Sequence, residues 1–514
     1  MSASALAIIL LSLVILLATG VPIAFSIGIA SIITIITTVP ADVATLTAAQ
    51  RTFVGMSSFT LTAIPFFILA GNLMNEGGIA KRLVDFVMAI LGKLPGALLV
   101  TNVGANALFG AISGSASAAA AAVGSMVKDG EERQGYDKAV SASANGASAP
   151  AGLLIPPSNA LITYSLVSGG TSVAALFLGG YIPGLIWSVA CIIVAIAIAK
   201  KKGYKANEGK FSFANLGRAT LRALPSLGLI IVVIGGIVAG IFTATEGSAI
   251  SVLYSLILGF IYKNLNVKKV WNIIVAITIA KKKGYKANEG KFSFANLGRA
   301  TLRALPSLGL IIVVIGGIVA GIFTATEGSA ISVLYSLILG FIYKNLNLKK
   351  VWNIIVESAK MSAIVVFLIG VSNILSWVMA FTGIPQMVGN ALLSLSSNKY
   401  VIFLIMNIIL LISGTFMDVT PAILIFTPLF LPIATEFGMH PVQFGLMIVY
   451  NLCIGNITPP VGNTLFVAIK VGDTTLSKVM PYMLRFYVAI LIGLLLVTYI
   501  PMTSLVLPLK AGLI

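Results

Sequence analysis

The chain has 514 residues, 58% of them hydrophobic and only 9% charged, with a mean hydropathy of +1.05 and a formal net charge of +18. That profile excludes an ordinary soluble globular protein and predicts a polytopic membrane protein. A single histidine, His440, and two cysteines, Cys191 and Cys453, leave no material for a histidine-based metal cluster or a Ser-His-Asp triad.

Strand-type alternation is absent, so the spans are expected to be helical. No Lys or Arg precedes Arg51. The first apolar run, Ala5 to Ala18, therefore reads as a retained span and not as a signal peptide. Thr19-Gly20-Val21-Pro22 breaks it from the next helix. Further on come Phe67 to Asn72 before Gly78-Ile79, then Ile112-Ser113-Gly114-Ser115, then Leu154-Ile155-Pro156-Pro157-Ser158. Val173 to Ala199 is long enough to cross a bilayer. The basic stretch from Lys200 to Arg222 follows, and the bias of Lys and Arg towards inner loops places it on the cytoplasmic side. Basic loops of this kind attract anionic lipid headgroups and give no reason to expect nucleic acid.

An 81-residue text then occurs twice. Lys200 to Val275 returns as Lys281 to Val356, with Val267 replaced by Leu348. Just before it, Ala197 is matched by Thr278. The joint is readable in Ile192-Ile193-Val194, Ile273-Ile274-Val275 and Ile354-Ile355-Val356. Removing one copy of 81 residues from the 514 leaves 433. The expected organisation is a first half over 1–194, an arm over 195–275, its copy over 276–356, and the rest of the second half over 357–514.

Past the copy, the landmarks of the first half recur in order. Thr324 to Gly328 separates two apolar helices, Phe367 to Asn373 precedes Gly383-Ile384, and Ile412-Ser413-Gly414-Thr415 echoes the earlier Ser-Gly-Ser. Asn456-Ile457-Thr458-Pro459-Pro460-Val461-Gly462-Asn463 echoes the earlier double proline. Matched breaks in the two halves of an apolar chain point to inverted repeats with a binding site at the breaks. Backbone carbonyls freed at Ser113, Gly114 and Ser115, and at Ser413, Gly414 and Thr415, suit a hard cation such as sodium. The alanines after Ser115 read as close helix packing.

Among polar groups in apolar runs, Asp418 is a functional candidate by its cost in lipid, or else a structural partner for a helix N-terminus or a lysine. Asn159 and Asn463 stand at the breaks. Glu246 and its copy Glu327 are structural or coupling candidates, equally readable as caps of the helices they open, and Arg485 as a side chain reaching the interface. Cys191 and Cys453 read as buried thiols.

At these residues the chain resembles the large membrane subunit, DctM type, of tripartite ATP-independent periplasmic (TRAP) transporters. The resemblance runs through Ala63 to Gly71, the Ser-Gly-Ser phrase, Ile155 to Ser158, Phe323 to Glu327, Met417 to Pro421 and Ile457 to Asn463. It implies an all-α inner-membrane importer of organic acids with two re-entrant hairpins, sodium as the coupling ion, no other cofactor, and elevator movement. It also implies two partners, a small four-helix membrane subunit and a periplasmic binding protein. By position, Pro156, Thr458 and Pro459 would join the two hydroxyl phrases in holding sodium. Ser158, Asn159, Asp418, Thr420, Gly462 and Asn463 would face the substrate. Many members of that family carry an acidic residue soon after Ser-Gly-Ser, where this chain has Ala119. Other readings are a stand-alone symporter, a subunit silenced by its duplication, or an intramembrane enzyme. The last is disfavoured because Asp418 has no second carboxylate to share a proton with.

Overall fold

A computed structural model describes residues 2–56, 79–204, 232–261, 367–459 and 462–514, and every regular element among them is a helix. The second copy of the arm, with Glu327, lies outside these residues, as do about half of the first copy and the segment Phe67 to Gly78. An unpaired backbone group is costly in lipid, so apolar text of this kind folds helix by helix and breaks mostly where Gly or Pro forces it. Ser2–Ala18 and Ile23–Ile36 separate in this way at Gly20 and Pro22. Phe367–Thr382 and Ile384–Leu395 meet at a 62° bend, at Gly383.

Among the described residues, three helices are long and apolar enough to cross a membrane: Val173–Lys202, Val419–Glu436 and Leu476–Tyr499. The bent pair makes a fourth if taken as one span. Val173–Lys202 has 30 residues, about 45 Å of helix, against a hydrocarbon core of about 30 Å. Ser172 caps its start by accepting from the Ala175 N–H at 3.2 Å, and Lys200, Lys201 and Lys202 fill its last turn. Cations are favoured beside the unpaired carbonyls there.

Two shorter helices form the centre. Lys138–Ser148 is buried from Ala139 onward, and Pro441–Gly455 from Val442 onward. Each precedes one of the double-proline phrases, so the two halves bury the same part of their text. The long helices clasp this centre. The Trp187 indole N–H donates to the Ala147 carbonyl at 2.8 Å, and its ring lies 4.8 Å from that of Tyr450. Tyr164 donates to the Pro441 carbonyl at 2.7 Å and Ser143 to that of Val479 at 3.2 Å, joining the halves. Cys191 and Cys453 are both free and buried, as expected.

Candidate functional site

The first hydroxyl phrase is the turn of a helical hairpin. Ala97–Ser113 ends on Gly114, whose φ of 61° is left-handed, and Ala116–Arg133 starts at once behind Ser115. Ser115 caps the second arm by accepting from the Ala118 N–H at 3.4 Å. The double proline, whose Pro156–Pro157 bond is cis, leads to Asn159–Val167. Ser158 caps that helix through the Leu161 N–H and donates to the Leu153 carbonyl.

Hairpin turn and double-proline break meet. A methyl group added at Gly114 would lie 3.1 Å from Asn159 Nδ2. Lower on the same arm, one added at Gly152 would lie 2.2 Å from the Gly110 Cα. Two backbones crossing this closely leave no room for side chains.

The second half repeats the crossing. Lys399–Gly414 ends at the second hydroxyl phrase, Thr415 closes it, and Val419–Glu436 starts behind Asp418. A methyl group on Gly455 would lie 2.4 Å from the Gly414 carbonyl carbon. Beyond it, Thr458 donates to the Ile454 carbonyl at 2.6 Å, and Tyr487 donates to that of Ile457 at 2.6 Å. Gly462 stands immediately before Asn463–Val471. Cys453 Sγ lies 3.8 Å from the Pro150 carbonyl oxygen, which brings the two crossings side by side.

A buried asparagine pair braces each crossing. Asn106 Nδ2 donates to Asn145 Oδ1 at 2.9 Å, and Asn451 Nδ2 donates to Asn407 Oδ1 at 2.8 Å. Asn106, Asn145 and Asn407 are not singled out by the sequence. The signal available was one Asn shortly before each hydroxyl phrase and one in the helix before each double proline.

Other candidates take plainer roles. Asp418 is exposed and caps Val419–Glu436, accepting from the Val419 N–H at 2.9 Å, so its carboxylate is not enclosed by protein. Thr420 is half-buried one turn inside the same helix. Asn463 is exposed, whereas its neighbour Thr464 is buried with its hydroxyl unpaired and its N–H given to the Asn456 carbonyl at 3.2 Å. Glu246 forms a capping box with Thr243: its carboxylate accepts the Thr243 N–H at 2.6 Å, and Thr243 Oγ1 accepts the Glu246 N–H at 3.3 Å. Arg485 lies on an exposed helix face, 5.8 Å from the Tyr482 ring centre. Ala119 is fully buried in the hairpin, so no acidic group stands at that position.

Known proteins match the chain along nearly its whole length. The family model of the tripartite ATP-independent periplasmic transporter DctM component matches residues 10–278 and again 270–503, the two stretches meeting where the second copy of the arm begins. The C4-dicarboxylate TRAP transporter large permease protein DctM of Rhodobacter capsulatus is 33% identical, with 98% of each chain covered. The chain belongs to the DctM family. It is thus a large permease subunit of a TRAP transporter, a multi-pass inner-membrane transport protein and not an enzyme. The uncharacterized protein YgiK of Salmonella typhimurium is 42% identical, covering 97% of this chain and 95% of YgiK. The sialic acid TRAP transporter large permease protein SiaM of Vibrio cholerae is 31% identical, covering 96% of each. Among solved structures, the Alcanivorax borkumensis YdaH transporter superposes with a TM-score of 0.49 at 12% identity, covering 87% of this chain and 85% of that one.

Proposed function

We propose that this DctM component imports a small organic acid in symport with sodium, receiving it from a periplasmic binding protein and working with a small four-helix membrane subunit. The observation that carries the reading is the pairing of breaks. In each half, a hydroxyl-bearing hairpin turn sits on an arm that crosses the double-proline element glycine to glycine. Oxygen atoms of Ser113, Gly114 and Ser115 with Pro156, and of Ser413, Gly414 and Thr415 with Thr458 and Pro459, supply two oxygen-rich sites for sodium. The helices opening at Asn159 and Asn463 present N–H groups suited to a carboxylate. Ser158, Asn159, Asp418, Thr420, Gly462 and Asn463 are the candidates around it. Relatives named for C4-dicarboxylates and for sialic acid support an organic acid as cargo.

In this reading the two hairpins are re-entrant, the halves are inverted repeats, and the hairpins move with the centre as one body in the manner of an elevator. The helices over 2–56 and 367–395 belong to the frame. A groove of about 540 Å³ between them, lined by Phe25, Ile29, Phe53, Met56 and Phe367, offers the small subunit an apolar face. The copy of the arm that continues into the second half, 276–356, holds the native place, so Glu327 takes the native role in preference to Glu246.

The test is uptake of labelled C4-dicarboxylates and sialic acid into proteoliposomes holding this chain and its small subunit, with and without a sodium gradient and binding protein. A 433-residue version lacking one copy of the arm runs beside it. Uptake that needs both sodium and the binding protein is expected. Uptake without the binding protein would replace this reading with a stand-alone symporter, and silence from both versions would remove it.

A further inference from the structure

The charged end of the first hairpin holds a group that transport as described does not use. Glu131 lies in the last turn of Ala116–Arg133 and is only 4% exposed. Beside it is a chamber of about 20 Å³, lined by Asn102, Lys128, Tyr136 and Ser141 and closed from the other half by Val471 and Gly472. That is room for about one water molecule. Asn102 Nδ2, Glu131 Oε1, the Tyr136 hydroxyl and Ser141 Oγ are all buried there without a hydrogen-bond partner in the protein. Asn102, Tyr136 and Ser141 are 1%, 6% and 9% exposed. Four such atoms in one place are unusual, because buried polar groups are nearly always paired.

We propose that Glu131 is a proton-binding site, and that its charge state controls a latch between the first hairpin and the helix Asn463–Val471. The latch is the ion pair of Lys128 with Asp473. Lys128 is one turn before Glu131 on the same face, and Asp473 directly follows the far end of that helix. Asp473 has a left-handed backbone, φ 46°, alone among the described non-glycine residues. With Glu131 protonated, Lys128 stays with Asp473. When Glu131 releases its proton through the chamber to water, a buried carboxylate without a partner remains. It draws Lys128 inward, away from Asp473. Asn463–Val471 is about 13 Å long and opens at the second double-proline break, so a loosened far end bears on that break.

Burial lifts the Glu131 carboxyl from 4.5 to about 7, although Ser141 and Asn102 pull it back. Their geometry falls short of ordinary hydrogen bonds, so burial dominates. Other charges nearby are already committed or titrate elsewhere. Glu132 pairs with Lys138 at 3.2 Å and Asp137 with Lys202 at 3.0 Å. The Lys128 bond holds Asp473 below the usual carboxylate range. Burial pushes Tyr136 upward, and Tyr204 stacks on it at 4.2 Å. Asp129 and Arg133 share the helix of Glu131, and Lys470 is on the facing helix. The hairpin arm Ala97–Ser113, which brings Asn102, carries no charge.

The sign of the pH effect follows. A carboxyl raised in the folded protein contributes stability that is complete below about 4.5 and lost as pH rises to about 7. His440, lowered by burial, acts in the opposite sense, adding stability as pH rises towards 6.5.

The decisive experiment needs no cargo. Infrared difference spectra of the full chain in nanodiscs, between about pH 5 and 8.5, bracket the expected transition. A protonated-carboxyl band is expected to vanish with a midpoint near 7 and to be missing in Glu131→Gln. By calorimetry the melting temperature should fall across that range in the parent chain and lose its fall in Glu131→Gln. Asp473→Asn should lower it at pH 5 and leave it unchanged at pH 8, where the latch is already open. A parent chain with no carboxyl titrating between pH 6 and 8 would overturn the site, as would a band that persists in Glu131→Gln. Equal destabilisation by Asp473→Asn at both pH values would overturn the latch. Should Glu131→Gln not fold, the parent midpoint and its displacement in Glu131→Asp decide.

Discussion

The two hairpins share a design and differ in how they are tied down. In the first, Asn145 grips both arms: Oδ1 accepts from Asn106 on one arm, while Nδ2 donates to the Ala120 carbonyl on the other at 2.8 Å. Asn106 also donates to Asn102 Oδ1 and Ser148 Oγ, each at 2.9 Å. In the second, the bonds of Asn451 and Asn407 reach only one arm. Asn407 turns outward to Thr498 on Leu476–Tyr499 at 3.1 Å. The other arm, Val419–Glu436, carries Pro428 and Pro432 and opens on an exposed Asp418. Equivalent sequence has thus produced one hairpin closed by hydrogen bonds on both sides and one closed on a single side. Among the described residues the second is therefore tied by fewer buried polar bonds.

The comparison is easiest to break at the crossings, where both halves are alike. Gly152→Ala and Gly455→Ala force a methyl group onto backbone at 2.2 and 2.4 Å, and each should cost about 3 kcal/mol, the upper part of the overpacking range, and abolish uptake. Cys191 and Cys453 are buried, so a thiol-reactive dye can follow the thermal unfolding.

Next come the braces. Asn145→Ala frees both arms and should destabilise by about 2 kcal/mol, Asn451→Ala by about 1 kcal/mol, within the range for buried hydrogen bonds. Equal losses in the same assay would mean that the hairpins are tethered alike. Gly414→Ala sharpens the point: its methyl group would meet Gly455 at 3.3 Å, tight but tolerable, so only a small shift is expected. The smallest effect should come from Asp418→Asn. Asn caps a helix about as well as Asp, so stability should move by no more than about 0.5 kcal/mol. A loss of uptake with stability kept would then assign Asp418 to the cargo.

The helical class and the breaks at both hydroxyl phrases were legible because Gly, Pro and hydroxyl residues interrupt apolar text, and lipid punishes an interruption without purpose. The alternative capping roles of Glu246 and Asp418 were legible for the same reason. Asn145 and Asn407 were not, since each resembles any single Asn in a helix until folding brings its partner, 39 and 44 residues away in sequence, alongside. Glu131 was hidden by its neighbours: Lys128 to Arg133 reads as a solvated surface run, and only the packing of Lys138–Ser148 and Asn463–Val471 over it turns one carboxyl inward. Thr464 was passed over for Asn463 because residue type suggested the amide, whereas the helix's rotation behind Gly462 decides which side chain is buried.

The buried indole of Trp187 gives the molecule an optical handle. Four tryptophans are present, at 187, 271, 352 and 377, two of them copies within the repeated arm. Trp187 is fully enclosed, bonded to the Ala147 carbonyl and set against Tyr450 where the two halves meet. Trp377 lies half-buried beside the bend at Gly383, stacked on Phe381 at 4.8 Å with the Arg51 guanidinium 5.8 Å from its ring centre. With the arm's two tryptophans replaced by phenylalanine, emission would come from one fluorophore sealed in the centre and one beside the bend at Gly383. A soluble quencher that reaches Trp377 and spares Trp187 would then report on each of these two places separately, in the same cuvette.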